Sequence, residues 1–180
     1  MCSQNNMQSM HSPHPATSAA GMTGNVKPIN TLHGVWRKDY KSSDLESMRM
    51  ALDCMQLSKM QKVAALNFVN GLRVELGPSQ ESAKVQFLAT VPFYKVTEEY
   101  KKGEETTMKR RDLRRGEQRA TAVDLRHDAM HVDLKWDGFL PGRVSESFVV
   151  NSRGQLVVRG IMQVNGQVFD IKTVYNKEEP

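Results

Sequence analysis

The side chains that could do chemistry are few in this sequence, and their spacing builds no catalytic or metal site. The metal-ligating and nucleophilic stock is five histidines and two cysteines. His127 and His131 stand four apart and would share a face only on a helix. Their surroundings alternate like a strand, which separates them by ~13 Å, too far to hold one ion. His11 and His14 have no ligating companions nearby, and Cys2 and Cys54 are far apart. That cysteine usage gives neither a disulfide framework nor a metal cluster and fits a reducing compartment. Glycine-rich phosphate loops, Cys-x-x-Cys pairs and a serine in a nucleophile turn are all missing. The expectation is a binding protein with no catalysis, no metal and no cofactor.

The densest charge is basic, over Lys109-Arg110-Arg111-Asp112-Leu113-Arg114-Arg115-Gly116-Glu117-Gln118-Arg119. Clustered Arg and Lys neutralise phosphates, but this run has no aromatic side chains for base stacking and is interrupted by acids. A hairpin with a solvated outer face explains it better, so no nucleic acid is expected. Strand alternation would still turn one arginine inward, Arg111 or Arg115. A basic strip of this kind could also touch an anionic membrane surface transiently. Trp36 and Trp136 read as end plugs whose indole N–H groups find backbone partners. The hydroxyl of Tyr175 has two readings, a cavity contact or a cap on the last strand.

These residues must be positioned by regular elements, and the sequence marks them. Residues 1–30 are rich in Ser, Met, Asn, Gln, His, Pro and Gly without hydrophobic period, the composition of a disordered tail. Order begins near Leu32, with a short strand over Gly34 to Tyr40. Ser43-Asp44-Leu45-Glu46 is a capping box, followed by Leu45, Met48, Leu52 and Met55 at helical spacing. Ser58-Lys59-Met60-Gln61 repeats the signature before Met60, Val63 and Ala64, so a helix-turn-helix is expected, its methionines packed in the core. From Gly71 onward the period falls to two. Turn signals recur at Gly77-Pro78-Ser79, Lys102-Gly103, Arg115-Gly116, Asp137-Gly138, Asn151 to Gly154 and Asn165-Gly166. Many short strands in series form an antiparallel meander, and a helical pair between the first two suits a barrel with a lid.

Bulk properties are consistent with that reading. A chain of 180 residues holds one domain, 31–180, beyond the tail. No apolar run spans a bilayer and no apolar signal segment opens the chain. A cytoplasmic address is expected, with a plastid or mitochondrial one as the minority reading from the Ser-rich, acid-free start. The net charge of +5 favours encounter with anionic surfaces without choosing among them.

The stretch Gly34 to Lys177, about four-fifths of the chain, resembles the intracellular fatty-acid-binding and retinoid-binding proteins of the calycin group. Gly34-Val35-Trp36 is similar to the family's opening Gly-x-Trp, and the paired helices follow it. Phe93, just before Thr97-Glu98, is similar to a portal phenylalanine. Leu134-Lys135-Trp136-Asp137-Gly138 is similar to the family's Trp-Asp-Gly turn, and Val174-Tyr175-Asn176-Lys177 to its closing x-Tyr-x-Lys. The resemblance implies an all-β fold: an up-and-down barrel of about ten antiparallel strands with a helix-turn-helix lid between the first two. It also implies a monomeric carrier of a fatty acid, retinoid or similar lipid.

The departures bear on the ligand. Family members hold a carboxylate with an Arg-x-Tyr pattern near the C-terminus. Here Tyr175 matches, but Thr173 occupies the arginine position and Lys172 points to the other face. The second family arginine aligns with about Val149, and Arg143, beside an insertion at Phe139 to Gly142, could take over its role. The residues expected at the ligand are therefore Tyr175, Thr173, Met162, Arg143 and Phe93. An unpartnered buried carboxylate costs several kcal/mol. Without an inward arginine, a free acid should bind with its head at the portal, or the ligand is neutral. The rival expectation is an interaction module, its barrel filled by side chains and its basic surface bound to an acidic protein or RNA.

Overall fold

A computed structural model describes residues 31–91 and 94–179. The tail expected over residues 1–30 and the portal role expected of Phe93 both fall outside the described residues.

The strands are β1 (Gly34–Asp39), β2 (Val69–Leu76), β3 (Ser82–Ala89), β4 (Val96–Lys101), β5 (Glu105–Lys109), β6 (Glu117–Leu125), β7 (Ala129–Trp136), β8 (Gly142–Val150), β9 (Leu156–Val164) and β10 (Gln167–Lys177). Helices α1 (Leu45–Cys54) and α2 (Lys59–Val63) lie between β1 and β2, with one wide helical turn at Ala64–Phe68. The ten strands form one sheet in the order β4-β3-β2-β1-β10-β9-β8-β7-β6-β5. Every neighbouring pair is antiparallel, and β1 closes onto β10 with Lys38 opposite Tyr175. The barrel is nearly closed. At its seam β4 and β5 share no ladder; isolated bridges Lys101–Glu104 and Lys102–Ala122 lie at the turn that joins them, the second reaching β6. The Thr106 hydroxyl donates across this seam to the Glu99 carbonyl at 3.0 Å.

Local chemistry accounts for the elements. Asn165 and Gly166 both take positive φ, 51° and 73°, as the tight β9–β10 hairpin requires. Ser58 and Gln61 close a reciprocal capping box on α2. The first cap differs by one residue from expectation. Asp44 accepts from the Ser47 amide at 3.0 Å, while Ser43 donates to the Asp39 carbonyl and accepts from the Val174 amide. With Asp44 as the cap, Ser43 is free to tie the helix start to β10. Met60 also departs from the core role expected of it: α2 turns it to solvent, 75 % exposed.

Alternating residues of the strands bury one face inside the barrel, where Trp36, Leu72, Val74, Val85, Val132, Phe148 and Leu156 pack as one cluster. Both indoles are anchored as plugs. Trp36 Nε1 donates to the Leu32 carbonyl at 2.8 Å, and Trp136 Nε1 to the Leu140 carbonyl at 2.9 Å.

Candidate functional site

Packing stops short of filling the barrel. A cavity of about 200 Å³ lies beneath the helices; a single water needs only ~10–15 Å³ by the same measure. The space is many times what a single water requires. The lid contributes Met48, Ala51, Leu52 and Met55, and the barrel wall contributes Leu72, Phe87, Leu134, Val144, Val158 and Ile171. Gly160 helps create the space. It sits opposite Glu146, and a Cβ there would meet Val144 Cγ2 at 3.3 Å and Glu146 Cγ at 3.4 Å.

Strand phase decides which expected residues reach this cavity. Tyr175 and Thr173 on β10 and Met162 on β9 line it. Arg143 does not. It is exposed on the outer face of β8, where its Nε donates to Gln163 Oε1 at 2.8 Å. Its inward neighbours are Val144, Glu146 and Phe148, so alternation excludes it as an internal anchor. Val149, at the other family position, is likewise exposed.

The inward guanidinium comes from the basic run, and the outer-face expectation for that run fails. The segment between β5 and β6 folds over the barrel mouth. Arg110 pairs with Asp112, both nearly buried, and lies 5.2 Å over the Trp136 ring. Arg114 donates to the Met55 and Gln56 carbonyls at 2.5 and 2.8 Å, satisfying acceptors at the end of α1. The Gln61 side chain donates to the Asp112 carbonyl at 3.0 Å, so the loop is tied to both helices. Arg115 is exposed, and Arg111 turns inward.

Arg111 is bound twice over. Its Nε and one terminal nitrogen donate to Glu98 at 2.9 and 2.7 Å, and its terminal nitrogens donate to Glu146 at 2.7 and 3.0 Å. Glu98 is fully buried and also accepts from the Tyr100 hydroxyl and the Gln118 amide, each at 2.5 Å. Burial opposes the Arg111 charge, but Glu146 and Glu98 outweigh it and raise the guanidinium's pKa well above its ordinary value. Burial likewise raises Tyr175 and Tyr100 well above the ordinary phenol value, with Glu146 adding to it at Tyr175 and Glu98 at Tyr100. Both stay protonated donors.

One further cation lines the cavity. Lys38 projects inward from β1 on the same face as its cross-strand partner Tyr175. Its Nζ lies 3.9 Å from Met48 Sδ and 5.2 Å from the Tyr40 ring centre, and it has no carboxylate partner among the described residues. Desolvation lowers its pKa to about 8.

Sequence reasoning missed Lys38, Glu98, Gln118 and Glu146. The signal was present: each falls on the inward phase of its strand, as in Val96-x-Glu98-x-Tyr100 and Val144-x-Glu146-x-Phe148. His127 and His131 form no metal group, nor do any three ligating residues among those described.

The barrel, its internal cavity and the helical pair between the first two strands define the fold of the fatty-acid-binding proteins. Solved structures agree on that fold. A fatty acid transporter designated REP1-NXSQ matches at 17 % identity and a TM-score of 0.61, over 83 % of this chain and 97 % of its own. A Schistosoma mansoni fatty acid binding protein in complex with arachidonic acid matches at 12 % and 0.62, over 82 % and 96 %. The fluorescent protein UnaG matches at 18 % and 0.61, over 82 % and 97 %. No protein-family model and no curated protein matches the chain.

Proposed function

We propose that the protein is a non-catalytic carrier that takes a hydrophobic small molecule, a fatty acid or related lipid, into the barrel. The observation that carries this reading is the cavity of about 200 Å³ with a predominantly aliphatic and aromatic wall. Burying about ten methylenes at ~0.8 kcal/mol each supplies about 8 kcal/mol of gross favourable free energy, which works against the cost of association. The likeness to two proteins whose names specify fatty acids supports the class of guest. Thr173, Tyr175 and Met162 are contacts for that guest, since all three line the space. No helix among the described residues is long and apolar enough to cross a membrane.

The rival interaction module loses its main support, because Arg110, Arg111 and Arg114 are committed to internal partners. A neutral, environment-sensitive naphthalene dye tests the carrier reading. Its emission should rise and shift to the blue on mixing, and hexadecanol should reverse the change. Emission that stays at the aqueous value, or resists displacement by every long-chain lipid tried, would remove the carrier.

A further inference from the structure

The cavity's charges are unevenly partnered, and the imbalance says where an anionic head group can go. Three cationic side chains line it: Lys38, Arg110 and Arg111. Arg110 is closed off by Asp112, with only 5 % and 7 % of the two side chains accessible. Arg111 spends four hydrogen bonds on two carboxylates, so its cluster carries one more negative charge than positive when all three groups are ionised. A guest carboxylate brought there would meet Glu146, which lines the cavity, and would find the guanidinium already forked onto both acids. Like charges at this range in a poorly hydrated space repel strongly. Lys38 is different: its ammonium faces the same cavity from beneath α1, beside Met48, without an acid partner among the described residues.

We propose that Lys38 is the head-group anchor for a long-chain carboxylate, which seats its anionic end beneath the helical lid and runs its alkyl tail into the cavity away from that end. The inference rests on the carrier reading above and adds the ligand's charge, its anchor and its direction. The ammonium supplies the opposite charge, on the same inward face as its cross-strand partner Tyr175, whose phenol stays neutral. Stearic acid and stearyl alcohol then differ at one place only, and Lys38 tells them apart.

The test uses the full chain and a matched pair, palmitate and hexadecanol, each displacing the neutral naphthalene dye at pH 7. Wild type should bind palmitate more tightly than hexadecanol. Lys38→Met should lower the palmitate-to-hexadecanol affinity ratio at least tenfold, and Lys38→Arg should restore most of it. Lys38→Gln, which keeps a polar side chain, provides the same comparison should the methionine variant fail to fold. A ratio unchanged in Lys38→Met or Lys38→Gln overturns the anchor, and so does a wild-type protein that binds the alcohol as well as the acid. The two readings fail differently. Displacement by neither lipid removes the carrier itself, whereas tight hexadecanol binding with an indifferent Lys38 removes only the anchor.

Discussion

Replacing Lys38 with methionine should stabilise the unliganded protein, which is unusual for deleting a charge. A lysine whose pKa falls from 10.5 to about 8 on folding carries a burial cost of ~1.4 kcal/mol for each tenfold loss of proton affinity. The full fall is about 3 kcal/mol, and residual contact with solvent reduces the measurable part to roughly 1–2 kcal/mol. Methionine removes the charge and keeps an unbranched apolar chain that suits the neighbouring Met48. A gain of that size raises the midpoint of thermal unfolding by about 2–8 °C in a domain of this length. The pH dependence carries the sharper content. Below about pH 8 the lysine is charged in both folded and unfolded chains, so the whole cost is present. Between about pH 8 and 10.5 the folded chain has released the proton while the unfolded chain still holds it, so wild type gains stability and the variant does not. Urea unfolding of both proteins at pH 6.5, 7.5, 8.5 and 9.5 should show the variant's advantage shrinking across the upper half of the series. A variant less stable at pH 6.5, or an advantage flat in pH, would refute the reasoning that Lys38 is a desolvated ammonium without a partner.

Two further outcomes follow from the polar groups around the cavity. Arg111→Met leaves Glu98 and Glu146 buried without their cation and should cost about 3–5 kcal/mol in chemical denaturation, with Glu146→Gln in the same background recovering part of the loss. Arg114→Met removes the donors to the Met55 and Gln56 carbonyls, which should cost about 1–2 kcal/mol and speed hexadecanol release severalfold in stopped-flow dilution. Arg159→Met, which breaks an exposed pair with Asp170 on the outer wall, should leave that release rate alone.

The fold was legible wherever a local rule acted alone. Asn165-Gly166 announced a hairpin because few dipeptides accept two positive φ values, and the change of period after Gly71 marked where helices give way to strands. The two tryptophans were readable as plugs because an indole excluded from water must find an acceptor for its N–H. The basic run was misread because charge density by itself says nothing about direction. Two of its arginines turn to partners far off in sequence, Arg111 to Glu98 and Glu146 and Arg114 to the end of α1. Arg143 failed for a simpler reason. Its placement rested on alignment across an insertion, whereas the phase of Val144, Glu146 and Phe148 assigns it to the outside.

The Arg111 cluster also bears on where a guest's head group would have to be held. β4 is laddered to β3 on one side only, and its other edge faces the open seam with β5. An unpaired edge inside a barrel wall is a weak point, and the bonds that cross the seam region are few: two isolated bridges, the Thr106 hydroxyl, and the cluster itself. Through Glu98 on β4, Gln118 on β6 and Glu146 on β8, the guanidinium and its partners tie the edge strand to the opposite wall across the interior. For Arg111 to accept a guest carboxylate it would have to release one of its two acids. Releasing Glu98 strands a fully buried carboxylate on an edge strand of the sheet. Releasing Glu146 leaves two carboxylates, the guest's and the protein's own, sharing the cavity side of one cation. One guanidinium cannot both hold this wall together and anchor an anionic ligand.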